Sequence, residues 1–294
     1  MNALIRRRLC NSTFGLTLAT FDGQPAIFYQ KAPSDSAFDE VYPHCVFTVD
    51  KFSDAVHGVA GLLTADVICR QADPSPETLE KLCRHALEGV FFAPADGEIF
   101  ALKWQRTDVF QEPASERMPL VVGATVTFEV REFPSAVTAS PDPIQALNRW
   151  ATLWDEKVIV IGATETADIF EPTFERPALY FDAQRTRMTS QQHSSIWLET
   201  QANAHIFAPN VASRRAWCNA LAQSLMLTRA VRLIDGAPMR LTACEHLFAA
   251  DEIQGQLQLT FEYAMQKPEP YAHPLVAVAT DFDGRIRPCT PFRN

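Results

Sequence analysis

The tetrapeptides Thr127-Phe128-Glu129-Val130 and Thr260-Phe261-Glu262-Tyr263 stand 133 residues apart, and a proline follows each at nearly equal distance, Pro134 and Pro268. Repetition at long range limits the fold more than any local signal does, because it implies one supersecondary unit used twice. The match extends upstream. Pro43-His44-Cys45-Val46-Phe47-Thr48-Val49 and Pro177-Ala178-Leu179-Tyr180-Phe181-Asp182-Ala183 both read as strands opened by proline, which is tolerated at the first strand position. Second strands are expected over Gly61 to Gln71, with Leu63, Ala65, Val67 and Cys69 on one face, and over Ile196 to Phe207, with Trp197, Ala204 and Ile206 on one face.

Each half then carries its clearest helix. In the first, Asp73-Pro74-Ser75-Pro76-Glu77 forms a capped start, and Leu79, Leu82, Cys83, Ala86, Leu87 and Val90 make an apolar stripe. In the second, Asn210 or Ser213 can cap a stripe of Trp217, Ala220, Leu221, Ser224 and Leu225, and Cys218 lies 135 residues beyond Cys83. Asp96-Gly97 and Asp235-Gly236 then read as tight turns, since glycine takes the positive φ such turns require. Strands are expected over Ile99 to Phe110 and Val121 to Phe133, and over Met239 to Phe248 and Ile253 to Gln266. The pattern predicts an α+β fold made of two tandem copies of a small antiparallel sheet packed on a helix, with a nearly constant offset between copies. The boundaries are residues 1–134 for one unit, 135–142 for a linker, 143–268 for the second unit and 269–294 for a proline-rich extension with an Asp-Phe-Asp-Gly turn at 281–284. Pro143 suits the first turn of a helix through Ile144, Leu147, Trp150, Ala151 and Trp154, which matches an N-terminal helix over Ala3 to Cys10.

With 294 residues, each half is long enough to bury its own core, and 47% hydrophobic with 21% charged residues is a folded composition. A formal net charge of -9 opposes general binding to phosphate backbones or anionic membranes. Seven cysteines without a CxxC pair read as reduced thiols of a cytosolic compartment. Arg6, Arg7 and Arg8 imitate the basic start of a secretory signal, but Cys10-Asn11-Ser12-Thr13 is too polar to continue one, so a helix with a solvated basic face is expected.

No chemistry-bearing motif stands out. The histidines lack metal-site spacing, and His205 and His246 read as satisfied or exposed strand residues. Gly58 and Gly61 lack the Lys and Ser/Thr of a phosphate loop, and the acidic pairs Asp251-Glu252 and Glu129 with Glu132 read as solvated strand edges. Neither catalytic nor metal-binding nor cofactor-binding residues are assigned, no cofactor is expected, and the chain is read as not an enzyme. The candidate docking projections are the turns at Asp96, Gly97, Asp235 and Gly236.

In its order of elements, the first half resembles the tail completion or tail terminator family of long-tailed phages. The resemblance rests on Ala3-Leu4-Ile5, Tyr42-Pro43-His44-Cys45-Val46-Phe47, the strand Leu62 to Gln71, the helix Glu77 to Phe92 and the closing strands to Pro134. It departs from that family in length, being two units where a single one is usual. The resemblance implies a virion structural protein of the tail and neck, assembled in the host cytoplasm. Such a protein forms a ring that caps the tail tube, ends its polymerisation and joins it to the head connector. Its partners would be copies of itself, as a hexamer or as a trimer with pseudo-sixfold symmetry, the tail tube protein and the head-tail connector. Genomic DNA would pass through the lumen without specific binding, which an acidic wall favours, and no membrane is involved. The alternative is a cytosolic two-domain module that holds a small ligand in the cleft between halves without catalysis.

Overall fold

The computed structural model describes residues 1–34, 38–56, 59–70, 74–112, 120–134, 141–247, 256–267, 278–280 and 286–288. The first half runs through helices α1 (Asn2–Cys10) and α2 (Thr13–Thr17), then strands β1 (Thr20–Phe21), β2 (Gln24–Pro25), β3 (Ile27–Tyr29), β4 (His44–Val56) and β5 (Val59–Arg70). Helix α3 (Pro76–Leu87) and strands β6 (Phe91–Phe92), β7 (Ile99–Glu112) and β8 (Val121–Phe133) complete it. The second half holds α4 (Pro143–Trp154), β9 (Ile159–Val160), β10 (Ile169–Phe170), β11 (Ala178–Gln191), β12 (Ser195–Phe207), α5 (Val211–Thr228), β13 (Ala230–Arg232), β14 (Pro238–His246) and β15 (Leu257–Gln266). A last pair, β16 (Val278–Thr280) and β17 (Ile286–Pro288), forms its own two-stranded sheet around the expected turn at 281–284, which lies outside the described residues, as do Gln71, Phe248, Ile253, Pro268 and most of the expected linker.

The fold is α+β, and its two large sheets follow one plan. The first has the order β10-β6-β7-β8-β5-β4-β3, and the second β13-β14-β15-β12-β11-β9. With β10 set aside, the strands correspond one to one. Each sheet is antiparallel except at one end, where a short strand pairs in parallel, β3 with β4 and β9 with β11. That parallel pair and the short helix α2 are additions to the expected plan, whereas α1 and α4 stand where helices are expected.

The helices pack where the sequence buries its stripes. Ser75 caps α3 and Asn210 caps α5, again 135 residues apart, and in α5 Ser213 returns a bond to the Asn210 backbone to complete a capping box. Cys83, Ala86 and Leu87 are buried in one helix, and Cys218, Leu221 and Ala222 at the same offset in the other. These faces close over Phe47, Leu63, Ala65, Val67, Val126 and Phe128 in the first half, and over Phe181, Ala202, Ala204, Leu259 and Phe261 in the second. Trp217, Ala220 and Ser224 flank the second stripe rather than centre it.

The offset is not constant. Phe47 pairs with Ala65 while Phe181 pairs with Ala204, which places the second strands 139 residues apart, because the β11–β12 hairpin is longer. Trp197 also departs from expectation. It has the opposite parity to Ala202, Ala204 and Ile206, so Leu198 joins the core on the inner face instead.

The Thr-Phe-Glu match has a structural cause. Trp104 pairs with Phe128 and Arg106 with Thr127, leaving Gln105 as a β-bulge; Leu241 pairs with Phe261 and Ala243 with Thr260, leaving Thr242 as a bulge. Both sheets therefore bend opposite the same dipeptide, and in the second the Thr242 hydroxyl donates to the Thr260 carbonyl at 3.1 Å.

The outer face at β3 and β4 is closed by the chain itself. Phe38 stands against Phe21, Phe28 and His44 with centroids 5.5, 5.1 and 4.9 Å apart. His44 Nδ1 donates to the Val41 carbonyl at 2.8 Å, and burial holds its pKa below the ordinary 6.5 despite that bond. A depressed histidine pKa gives stability that is complete above about pH 6.5 and declines as pH falls through the folded-state value. Acidification from neutrality to about pH 5 therefore lowers the melting temperature, and His44→Gln reduces that slope; an unchanged slope in thermal melts followed by circular dichroism counts against this role.

Candidate functional site

The expected turns sit at the ends of equivalent hairpins. Asp96 and Gly97 lie between β6 and β7, and Asp235 and Gly236 between β13 and β14, all four exposed. Gly97 has φ 145° and Gly236 φ 84°, so both use the backbone freedom of glycine. Asp235 Oδ1 accepts the Ala237 amide at 2.9 Å, and the Arg232 guanidinium donates to the Gly236 carbonyl at 3.0 Å. The turns are thus locally built, and each joins the first two strands of the shared plan, separated in sheet order from the long hairpins β4–β5 and β11–β12.

The most developed contact lies between the halves. Phe91 of β6, on the face away from the helices, meets Phe133, Phe170 and Phe207 with centroids 5.4, 5.2 and 5.0 Å apart. Ile159, Ile161, Ala178 and Tyr180 complete this buried cluster. The Tyr180 hydroxyl donates to the Pro134 carbonyl at 3.0 Å, and burial with the nearby Asp182 charge pushes its pKa well up, so it stays a donor.

Strand β10 reaches across from the second half and pairs antiparallel with β6, Ile169 opposite Phe92 and Phe170 opposite Phe91. Arg7 binds Asp168 at 2.8 Å, Arg8 binds Glu171, and the Ala93 amide donates to the Asp168 carbonyl at 2.8 Å. The expected solvated basic face of the first helix is therefore engaged by the second half. The rings fill the space between the sheets and leave beside them an open groove of about 370 Å³, flanked by Lys103, Arg131 and Arg214 with Glu88 and Glu171.

The long hairpins supply a second exposed feature. Strand β9 pairs only with Ala178 and Leu179 of β11, and β3 only with Cys45, Val46 and Phe47 of β4. Beyond those residues the outer edges of β11 and β4 have no strand neighbour among the described residues. In β11 every residue from Ala183 to Gln191 is exposed, Met188 included. Bulges at Gln184 and Thr189, and the charges of Arg185 and Arg187, restrict which strand can add there.

Reactive groups are quiet or partnered. Burial pushes the Cys83 and Cys218 thiols up to about 12, and that of Cys45 well above its ordinary range. His205, buried, binds Asp182 at 2.8 Å across neighbouring strands and stands beside Tyr180. Among the described residues no group of three or more His, Cys, Asp or Glu side chains is arranged to hold a metal, and no helix is long and apolar enough to cross a membrane.

Sequence reasoning missed the aromatic seam, the His205–Asp182 pair and the 168–171 segment. Alternation did carry one signal. Phe91, Ile99 and Phe133 are apolar on strand faces opposite the core, where a solvated sheet would be polar. Comparison with protein-family models, curated proteins and solved structures finds no match.

Proposed function

We propose that the chain is a structural subunit of a phage tail, acting as a tail terminator whose ring caps the tube, ends its growth and joins it to the head connector. The observation that carries this reading is the pair of long hairpins with open outer edges at equivalent places in two sheets of one plan. An open edge offers main-chain donors and acceptors to a neighbouring strand, and closed rotational symmetry consumes every such edge without leaving a growing end. The resemblance of the first half to tail terminators in its order of elements supplies the biological assignment. Two units in one chain fit six units from three chains or twelve from six, and the acidic balance suits a wall past which DNA slides.

Removal of the chain from an assembling particle tests the function. Tubes of uncontrolled length that fail to join heads are expected. Joined particles with tails of normal length would contradict it.

A further inference from the structure

We infer that the open edge of β13, with Arg149 and Arg232 beside it, is a docking site for an extended acidic segment of a partner protein. The first half displays the same place already occupied. There β6 ends the sheet proper, β10 adds to its free edge, and Arg7 of α1 binds Asp168 at the point where the Ala93 amide holds the Asp168 backbone. In the second half β13 takes the position of β6, and no strand covers its outer edge among the described residues. When α1 and α4 are aligned on their buried residues, Ile5 with Leu147 and Leu9 with Ala151, Arg7 falls on Arg149. Aligned through the bulges, Trp104 with Leu241, the hairpin pair Phe92 and Phe100 falls on Leu233 and Ala237, and Phe91, the residue opposite Phe170, falls on Arg232.

Arg149 and Arg232 line one open cavity of about 400 Å³, together with Asn148, Gly162 and the exposed Ile234. No carboxylate lies within ion-pair distance of either guanidinium among the described residues, whereas Arg7 and Arg8 each have one. Asn148 Oδ1, beside Arg149 and Arg232, is a buried acceptor without a donor among the described residues. Edge addition supplies main-chain bonds, and two arginines select an acidic residue at one position.

The occupant is not a second copy docked as the second half docks on the first. The positions of Phe91, Ile99, Ala101 and Phe133 are taken in the second half by Arg232, Gly236, Pro238 and Gln266, which offer no aromatic seam. The matching face of the first half, at Phe28 and His44, is closed by Phe21 and Phe38 of the same chain. What remains is a narrow site for a strand and its acids, and it stands independently of the proposed function.

A labelled peptide copying residues 165–174 is the probe, titrated into the full-length chain with fluorescence anisotropy as the readout. Saturable binding is expected that weakens as salt rises, falls at least ~10-fold in Arg149→Glu/Arg232→Glu, about 1.4 kcal/mol or more, and falls likewise when the peptide carries Asp168→Lys and Glu171→Lys. Both arginines are exposed, so the variant should keep the parent circular dichroism spectrum; the charge-reversed peptide on the unaltered chain decides the matter if it does not. Absence of saturable binding, or equal binding by the altered chain or peptide, overturns the assignment. Self-association of the chain that disappears in Arg149→Glu/Arg232→Glu would make the occupant a second copy and overturn it as well.

Discussion

Phe261→Ala lowers the stability of the second half by about 3–5 kcal/mol, and Phe128→Ala does the same to the first, as measured by urea unfolding. Both rings are fully buried, and each stands opposite the residue beside the bulge, Leu241 or Trp104. Truncation removes the apolar area of a whole ring and leaves a cavity that a bent, bonded sheet cannot collapse. If the two sheets are one plan, the two losses are similar. A loss below about 1 kcal/mol at either site would mean that the bulge and its phenylalanine are not a fixed part of the plan.

Phe91→Asp has the second large effect, and it acts between the halves. Phe91 is 2% exposed and touched by three phenylalanine rings, so an aspartate there is an unpaired charge in an apolar cluster. The cost is about 3 kcal/mol or more, and it falls on the seam rather than on either core. Calorimetry should therefore resolve two transitions, with the parent chain closer to one. By comparison, Arg7 and Asp168 are 48% and 62% exposed, and such a pair contributes about 1 kcal/mol or less. The aromatic cluster, not the ion pairs, holds the halves together. Retention of a single transition in Phe91→Asp would contradict this.

Much of the fold was legible because local signals agreed with tertiary demands. The helix stripes around Cys83 and Cys218, the caps at Ser75 and Asn210, and the turns at Gly97 and Gly236 each rest on spacing or backbone geometry that acts within a few residues. Thr-Phe-Glu was visible for a different reason, since a bulge at the same place in both sheets restrains the residues opposite it. The parallel strands β3 and β9 were not legible, being too short to show a period. Strand β10 was missed because Ile169 and Phe170 make sense only against β6, more than seventy residues away in sequence.

The docking candidates show the same division. The Asp-Gly turns were found because glycine marks them, whereas the open edges of β4 and β11 depend on where β3 and β9 stop pairing. No pattern within β11 announces that its outer side is bare. Exposure of Met188 and Ile234 likewise follows from what the fold leaves uncovered rather than from the residues themselves.

Assembly of this chain through its open strand edges into a closed ring is what the proposed function requires. Electron microscopy of the purified protein in negative stain, with its mass in solution measured by sedimentation, decides whether the chain does so. Rings of threefold or sixfold symmetry are expected, and they dissociate when proline replaces Met188, whose main chain faces the outer edge of β11. A monomer that persists at high concentration, without rings in the images, would contradict ring assembly.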